Sequence, residues 1–205
     1  MPFRYIFGVN LPNKLTVGRF GLTVAFLAVM FSEVRFHKTI ALTLFIAAGV
    51  SDFLDGQIAR RRNLITNFGI LMDPLADKIM VCSAFIAFVG LNWLPAWMAV
   101  VVVARELAIT GLRLLAASKN VVLAAEGYGK HKTISQIAAI IAIFVLQTYS
   151  DQWGAVGQAL FGPPVFGKPW IWWFAEIAKW LAVILTFISG WLYLWKNRAL
   201  YLNDM

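Results

Sequence analysis

The chain has 205 residues, 60% of them hydrophobic and 14% charged, with a mean hydropathy of +0.74; a soluble globular domain carries about 25% charged residues, so that class is excluded. The net charge of +8 would in a soluble protein raise nucleic acid as a partner. Here the cations sit in short loops between apolar runs, where they read as topology signals and an anionic-ligand site, and no nucleic acid is expected.

Arg4 precedes only a short apolar stretch, with no small-residue cleavage pattern after it, so no cleaved signal peptide is expected. Asn10-Leu11-Pro12-Asn13 is a helix-start signal with Asn13 as the candidate N-cap. The apolar runs then fall at about 15–31, 39–60, 69–92, 95–117, 133–150 and 171–195, each close to the roughly 20 residues that cross a hydrocarbon core. The expected fold is an all-α integral membrane protein of six transmembrane helices, and residues 1–205 form a single membrane domain. Cys82 lies inside one of these runs as the lone cysteine, so no disulfide framework exists.

The longest connection, 151–169, holds Gly154, Gly157, Gly162, Pro163, Pro164 and Gly167 and is not expected to continue a helix. Trp93, Trp97, Trp153, Trp170, Trp172, Trp173 and Trp195 fall near the run ends, as an interfacial aromatic belt requires. Assigned to alternate sides, twelve of the eighteen Lys and Arg residues fall on the side of both termini. By the positive-inside rule both termini are cytoplasmic, and the expected location is the cytoplasmic membrane with the site toward the cytoplasm.

Only ten residues are acidic, and Asp52, Asp55, Asp73 and Asp77 fall within 26 positions at the facing ends of the second and third runs. On a helix Asp52, Asp55, Gly56, Ala59 and Arg60 share one broad stripe, and Gly69, Asp73 and Asp77 share another. A short connection makes the two helices neighbours, so four carboxylates can gather around one point. A buried Asp costs about 2.5–3.5 kcal/mol at the centre of a membrane span, and four like charges repel. One or two divalent cations with hard oxygen ligands, Mg²⁺ or Mn²⁺, would neutralise them. Two such ions about 3.5–4 Å apart clamp the attacking and leaving oxygens of a phosphoryl transfer. Pro74 either stands in the first turn of its helix or interrupts it.

The string Asp52-Phe-Leu-Asp55-Gly56-Gln-Ile-Ala59-Arg60, eight residues to Gly69, then Asp73 and Asp77 at steps of four, resembles the complete signature of the CDP-alcohol phosphotransferases. Three further segments, Pro12-Asn13-x-Leu15-Thr16-x-x-Arg19, Ala104-Arg105-Glu106-x-x-Ile109-Thr110-x-Leu112-Arg113 and Gly129-Lys130-x-Lys132-Thr133, resemble the branch of that family whose acceptor is glycerol 3-phosphate. The resemblance implies six transmembrane helices and a homodimer. It implies that Asp52, Asp55, Asp73 and Asp77 bind divalent metal, with Asp77 also the general base. Asp52, Gly56, Ala59, Arg60 and Gly69 would then shape the site for CDP-diacylglycerol. The implied reaction is attack by a glycerol 3-phosphate hydroxyl on the lipid-bearing phosphorus, with release of CMP. Inositol phosphate, serine or phosphatidylglycerol remain alternative acceptors, since the signature belongs to the CDP half of the site.

Arg105 and Glu106 lie within an apolar run, where ionisable residues are functional candidates. Arg105, Arg113, Lys130 and Lys132 can form a phosphate pocket, as Arg offers paired hydrogen bonds and Lys a point charge; a structural ion pair is the alternative for Arg105 and Glu106. Glu176 and Lys179, three apart, are expected to neutralise each other. His37 reads as solvated, and His131 stands between two candidate phosphate ligands. Arg60-Arg61-Arg62 serves topology or contact with anionic membrane lipid. An ion-coupled transporter or channel explains the acids but not the fixed Gly, Ala and Arg positions, and no inverted repeat is present. An intramembrane aspartyl protease needs only two carboxylates.

Overall fold

The structure, a computed structural model, describes residues 11–62, 67–119, 121, 123 and 128–202, without the side chains of 11–16, 52–62, 67–74, 77 and 128–130. Among the described residues six helices run from 20 to 27 residues: α1 (Leu11–Met30), α2 (His37–Arg62), α3 (Asn67–Gly90), α4 (Ala96–Ser118), α5 (Tyr128–Thr148) and α7 (Trp170–Lys196). They coincide with the six apolar runs. Shorter elements are α6 (Gly154–Phe161), the strands β1 (Pro164–Val165) and β2 (Lys168–Pro169), and α8 (Ala199–Leu202). The stretch from His131 to Thr148 and the whole of α7 are long and apolar enough to cross a membrane, with shorter apolar stretches at 17–30, 37–51 and 78–90. The architecture is mostly helical and apolar, as an all-α membrane protein requires.

The chain divides into two compact units between Ser83 and Ala84. In the first, α1 and α2 form a helical hairpin. Its core is a seam on α1 at steps of four, three and four, Arg19, Thr23, Phe26 and Met30, facing Ala41, Leu42, Phe45 and Ala48 of α2. The Phe26 and Phe45 rings meet at 6.3 Å. The Thr23 hydroxyl donates to the Arg19 carbonyl at 3.0 Å and lies 3.8 Å from the Met80 sulfur of α3.

In the second unit α5 and α7 approach through alanines, Ala139 and Ala142 against Ala175, Ala178 and Ala182, the small-residue packing that holds membrane helices close. Pairs that rise together, Arg105 with Gly190 and Lys119 with Leu200, make α4 and α7 parallel. Gln136 with Thr186, beside the alanine seam nearer the start of α7, makes α5 antiparallel to both. Aromatic residues gather toward the other end of the bundle, where Phe88 and Trp93 pack on Phe144 at 5.1 and 6.1 Å.

Two expectations are corrected and one open choice, at Pro74, is resolved. Asn13 is the third residue of α1, not its cap, because the helix already runs from Leu11; Pro12, lacking an N–H, is at home in a first turn. Pro74 is the eighth residue of α3, so it interrupts the ladder instead of opening the helix, leaving the carbonyl of residue 70 without its usual donor. The connection 151–169 does contain a helix, α6. Each glycine there costs about 1 kcal/mol relative to alanine, but Phe161 packs against Trp153 and Trp170 at 5.7 and 5.8 Å. A Cβ on Gly157 would stand 2.0 Å from the Tyr149 carbonyl oxygen, so the glycine permits that close turn. Beyond α6 the chain makes a tight hairpin, Pro164 opposite Pro169 and Val165 opposite Lys168. Phe166 and Gly167 at its tip both have positive φ, 49° and 79°, the twist that two-residue hairpins favour.

Candidate active site

The signature aspartates occupy two helices. Asp52, Asp55, Gly56, Ala59 and Arg60 lie along the last turns of α2, and Gly69, Asp73 and Asp77 along the first turns of α3. Helical backbone through both segments puts each set at the three- and four-residue steps that share a stripe. The side chains of all eight lie outside the described residues, as does that of Lys130.

The second group of candidates lies within the bundle of α4, α5 and α7. Glu106 is 5% exposed and so is Lys132; the Lys132 ammonium donates to the Glu106 carboxylate across the α4–α5 boundary. Arg105 Nη1 reaches the same carboxylate oxygen at 3.4 Å, while its buried Nε has no hydrogen-bond partner among the described residues. Two cations thus flank one carboxylate within an apolar bundle.

Residues from α7 complete the surroundings. Gly190 lies under the Arg105 stem, so close that a Cβ there would be 2.8 Å from Arg105 Cγ. Gln136 donates to the Thr186 hydroxyl at 2.9 Å and the Ser189 hydroxyl to the Thr186 carbonyl at 3.1 Å. Arg113, exposed at its outer face, donates from Nε to the Tyr193 hydroxyl at 3.3 Å and sits 5.7 Å from the Tyr193 ring centre. A guanidinium held over an aromatic face keeps its remaining N–H groups available for an oxyanion.

Of the proposed phosphate ligands, the structure therefore sets Arg105 and Lys132 around Glu106 and places Arg113 two turns further along α4. Sequence reasoning missed the α7 side of this arrangement. Thr186, Ser189, Gly190 and Tyr193 recur at steps of three, one and three in an otherwise apolar stretch, 180–195, and that polar stripe was the available signal. Other expectations fare simply: Lys179 is paired with Glu176, and His37 is half-buried, its Nδ1 3.1 Å from the Val34 carbonyl oxygen.

The family model for CDP-alcohol phosphatidyltransferase matches residues 9–191, a span that contains both groups of residues. Among curated proteins, the CDP-diacylglycerol--glycerol-3-phosphate 3-phosphatidyltransferase of Bacillus subtilis is 38% identical over 200 residues, covering 92% of this chain and 95% of the relative. The proteins of the same name from Rickettsia bellii and Cereibacter sphaeroides are 31% and 32% identical, covering 90% and 95% of this chain and 93% and 98% of theirs. With the full aspartate signature in helical register and a match over most of its length, the chain belongs to the CDP-alcohol phosphatidyltransferase family, and it is a transferase.

Proposed function

We propose that the chain is a phosphatidylglycerophosphate synthase, transferring the phosphatidyl group of CDP-diacylglycerol to glycerol 3-phosphate with release of CMP. The observation that carries this reading is the joint presence of the signature and of relatives named for that reaction, similar over nine-tenths of the chain.

The donor set suits a divalent metal: four carboxylates and no thiol or imidazole in the signature make a hard-oxygen site of the kind Mg²⁺ or Mn²⁺ prefers. Metal bound there would stabilise the charge that develops on the phosphoryl oxygens, and two ions fit the four ligands Asp52, Asp55, Asp73 and Asp77. Asp77 accepts the proton of the attacking hydroxyl. The oxygen–phosphorus bond forms at the lipid-bearing phosphorus, the bond to the bridging oxygen breaks, and CMP leaves with that oxygen. Asp52, Gly56, Ala59, Arg60 and Gly69 bound the CDP end of the donor, the small residues leaving room beside the helix backbone.

Arg105, Arg113, Lys130 and Lys132 receive the phosphate of the acceptor. The convergence of Arg105 and Lys132 on Glu106, with the Arg105 Nε unpartnered among the described residues, supports this assignment, because clustered Arg and Lys groups bind phosphate through charge-assisted hydrogen bonds. The six apolar runs support six membrane spans in one membrane domain, the charge count supports cytoplasmic termini and a site at the cytoplasmic face of the inner membrane, and the family resemblance supports a homodimer surrounded by lipid.

The test is CMP release by the detergent-purified protein with CDP-diacylglycerol and Mg²⁺, comparing glycerol 3-phosphate with serine, inositol phosphate and phosphatidylglycerol. Strong preference for glycerol 3-phosphate is expected. Equal use of another acceptor would leave only the family.

A further inference from the structure

Arg19 is 1% exposed, among the most deeply buried side chains described, and it occupies the α1 seam where the next three positions are Thr23, Phe26 and Met30. Val17 and Val24, on the outer faces of the same helix, are 54% and 68% exposed. An arginine with room to reach the surface from one of those faces is instead turned into the core. A guanidinium carries its charge into whatever environment it occupies, and a buried charge needs a compensating one close by.

The first unit offers few partners. Its acidic residues are Glu33 and the four signature aspartates. Glu33 is exposed beyond the end of α1, and the eleven residue steps from Arg19 to Met30 already span about 16 Å of helix. The aspartates are at the right height. Thr23 meets Met80 of α3. One turn back along α1 is Arg19, and one turn back along α3 is Asp77, with Asp73 a further turn away; only six residues separate α1 from α2 and four separate α2 from α3, connections short enough to make each successive pair antiparallel, so that α1 and α3 run the same way.

We propose that Arg19 is a positioning residue of the transferase site, its guanidinium balancing and orienting the signature carboxylates of α3 from the α1 side. This rests on the reading of the four aspartates as the metal-dependent site. A fixed cation beside a cluster of four carboxylates lowers their mutual repulsion and restrains their rotation. It also competes electrostatically with the metal, so its removal has a consequence that a packing role lacks: the site should attract divalent cations more strongly while working less well.

The experiment uses the full chain in detergent, with Mn²⁺ binding followed by electron paramagnetic resonance and turnover followed by CMP release. Arg19→Gln is expected to lower kcat at least about thirtyfold while tightening Mn²⁺ binding about threefold or more. Arg19→Lys, which keeps the charge, should retain wild-type Mn²⁺ affinity and stay within about tenfold of wild-type kcat. Turnover by Arg19→Gln within threefold of wild type would overturn the proposal, as would weaker Mn²⁺ binding and a lower melting temperature in both variants, which mark a packing role. Wild-type protein that releases no CMP, with Mn²⁺ binding still tightened in Arg19→Gln, would sink the assigned reaction and leave the place of Arg19 beside the aspartates standing.

Discussion

Gly190 on α7 and Arg105 on α4 are matched in shape: the missing side chain of one is the space occupied by the stem of the other, with 2.8 Å between an added Cβ and Arg105 Cγ. The clash would fall near the root of the arginine, so the whole side chain must move to relieve it. Gly190→Ala is therefore expected to displace the guanidinium, raising the KM for glycerol 3-phosphate about five- to twentyfold with the KM for CDP-diacylglycerol unchanged. Overpacking of this kind costs about 1–3 kcal/mol, so the melting temperature should fall as well. Steady-state kinetics with each substrate varied in turn decides it; equal changes in both KM values would separate Gly190 from the acceptor pocket.

The Glu106–Lys132 pair has two roles that a double-substitution cycle can separate. Removing one partner of a buried pair leaves an uncompensated charge and costs about 3–5 kcal/mol. Glu106→Gln alone should thus destabilise the protein strongly, and Glu106→Gln with Lys132→Gln should regain much of that stability. If Lys132 also holds the acceptor phosphate, the double variant stays poor at using glycerol 3-phosphate despite its recovered melting temperature. Recovery of both stability and acceptor use would make Lys132 purely a partner of Glu106.

Much of the helical arrangement was legible beforehand because long apolar runs announce helices, and the six runs coincide with α1 to α5 and α7. The position and period of the aspartates were readable in the sequence, and the helical backbone of α2 and α3 keeps that period. What escaped was whatever depended on contact between distant segments. The pairing of Lys132 with Glu106 joins residues 26 apart on different helices, and α6 is held by Trp153, Phe161 and Trp170 against a glycine content that argues for a loop. Gly190 looked like any small residue in a membrane helix until its neighbour was known to be Arg105.

The aspartates give the sharpest loss of function. Asp77→Asn is expected to reduce turnover by the 10²- to 10⁴-fold typical of losing a general base while CDP-diacylglycerol still binds, since an amide coordinates weakly but accepts no proton. Asp52→Asn and Asp55→Asn should raise the metal concentration needed for activity, and chelation should abolish turnover reversibly. More than about a tenth of wild-type turnover in Asp77→Asn would move the base elsewhere.

The acceptor pocket can be tested by what it should refuse. A phosphate dianion entering a partly dehydrated bundle must exchange water for charge-assisted hydrogen bonds, which Arg105 and Lys132 beside Glu106, with Arg113 beside Tyr193, are of the type to supply. Glycerol has no use for those cations, so wild type should strongly prefer glycerol 3-phosphate. Truncating one member of a buried charged contact costs about 2–5 kcal/mol, and Arg105→Ala should cut glycerol 3-phosphate use at least about thirtyfold with donor affinity little changed. Arg113, exposed and already engaged by Tyr193, is under weaker demand, and Arg113→Ala should cost about tenfold or less at moderate ionic strength, where charges in contact with water are screened. Competition assays between glycerol 3-phosphate and glycerol, run on each variant, read both effects. If Arg105→Ala left the preference intact, Arg105 would serve the fold or a membrane lipid, and the acceptor phosphate would have to be held by other cations.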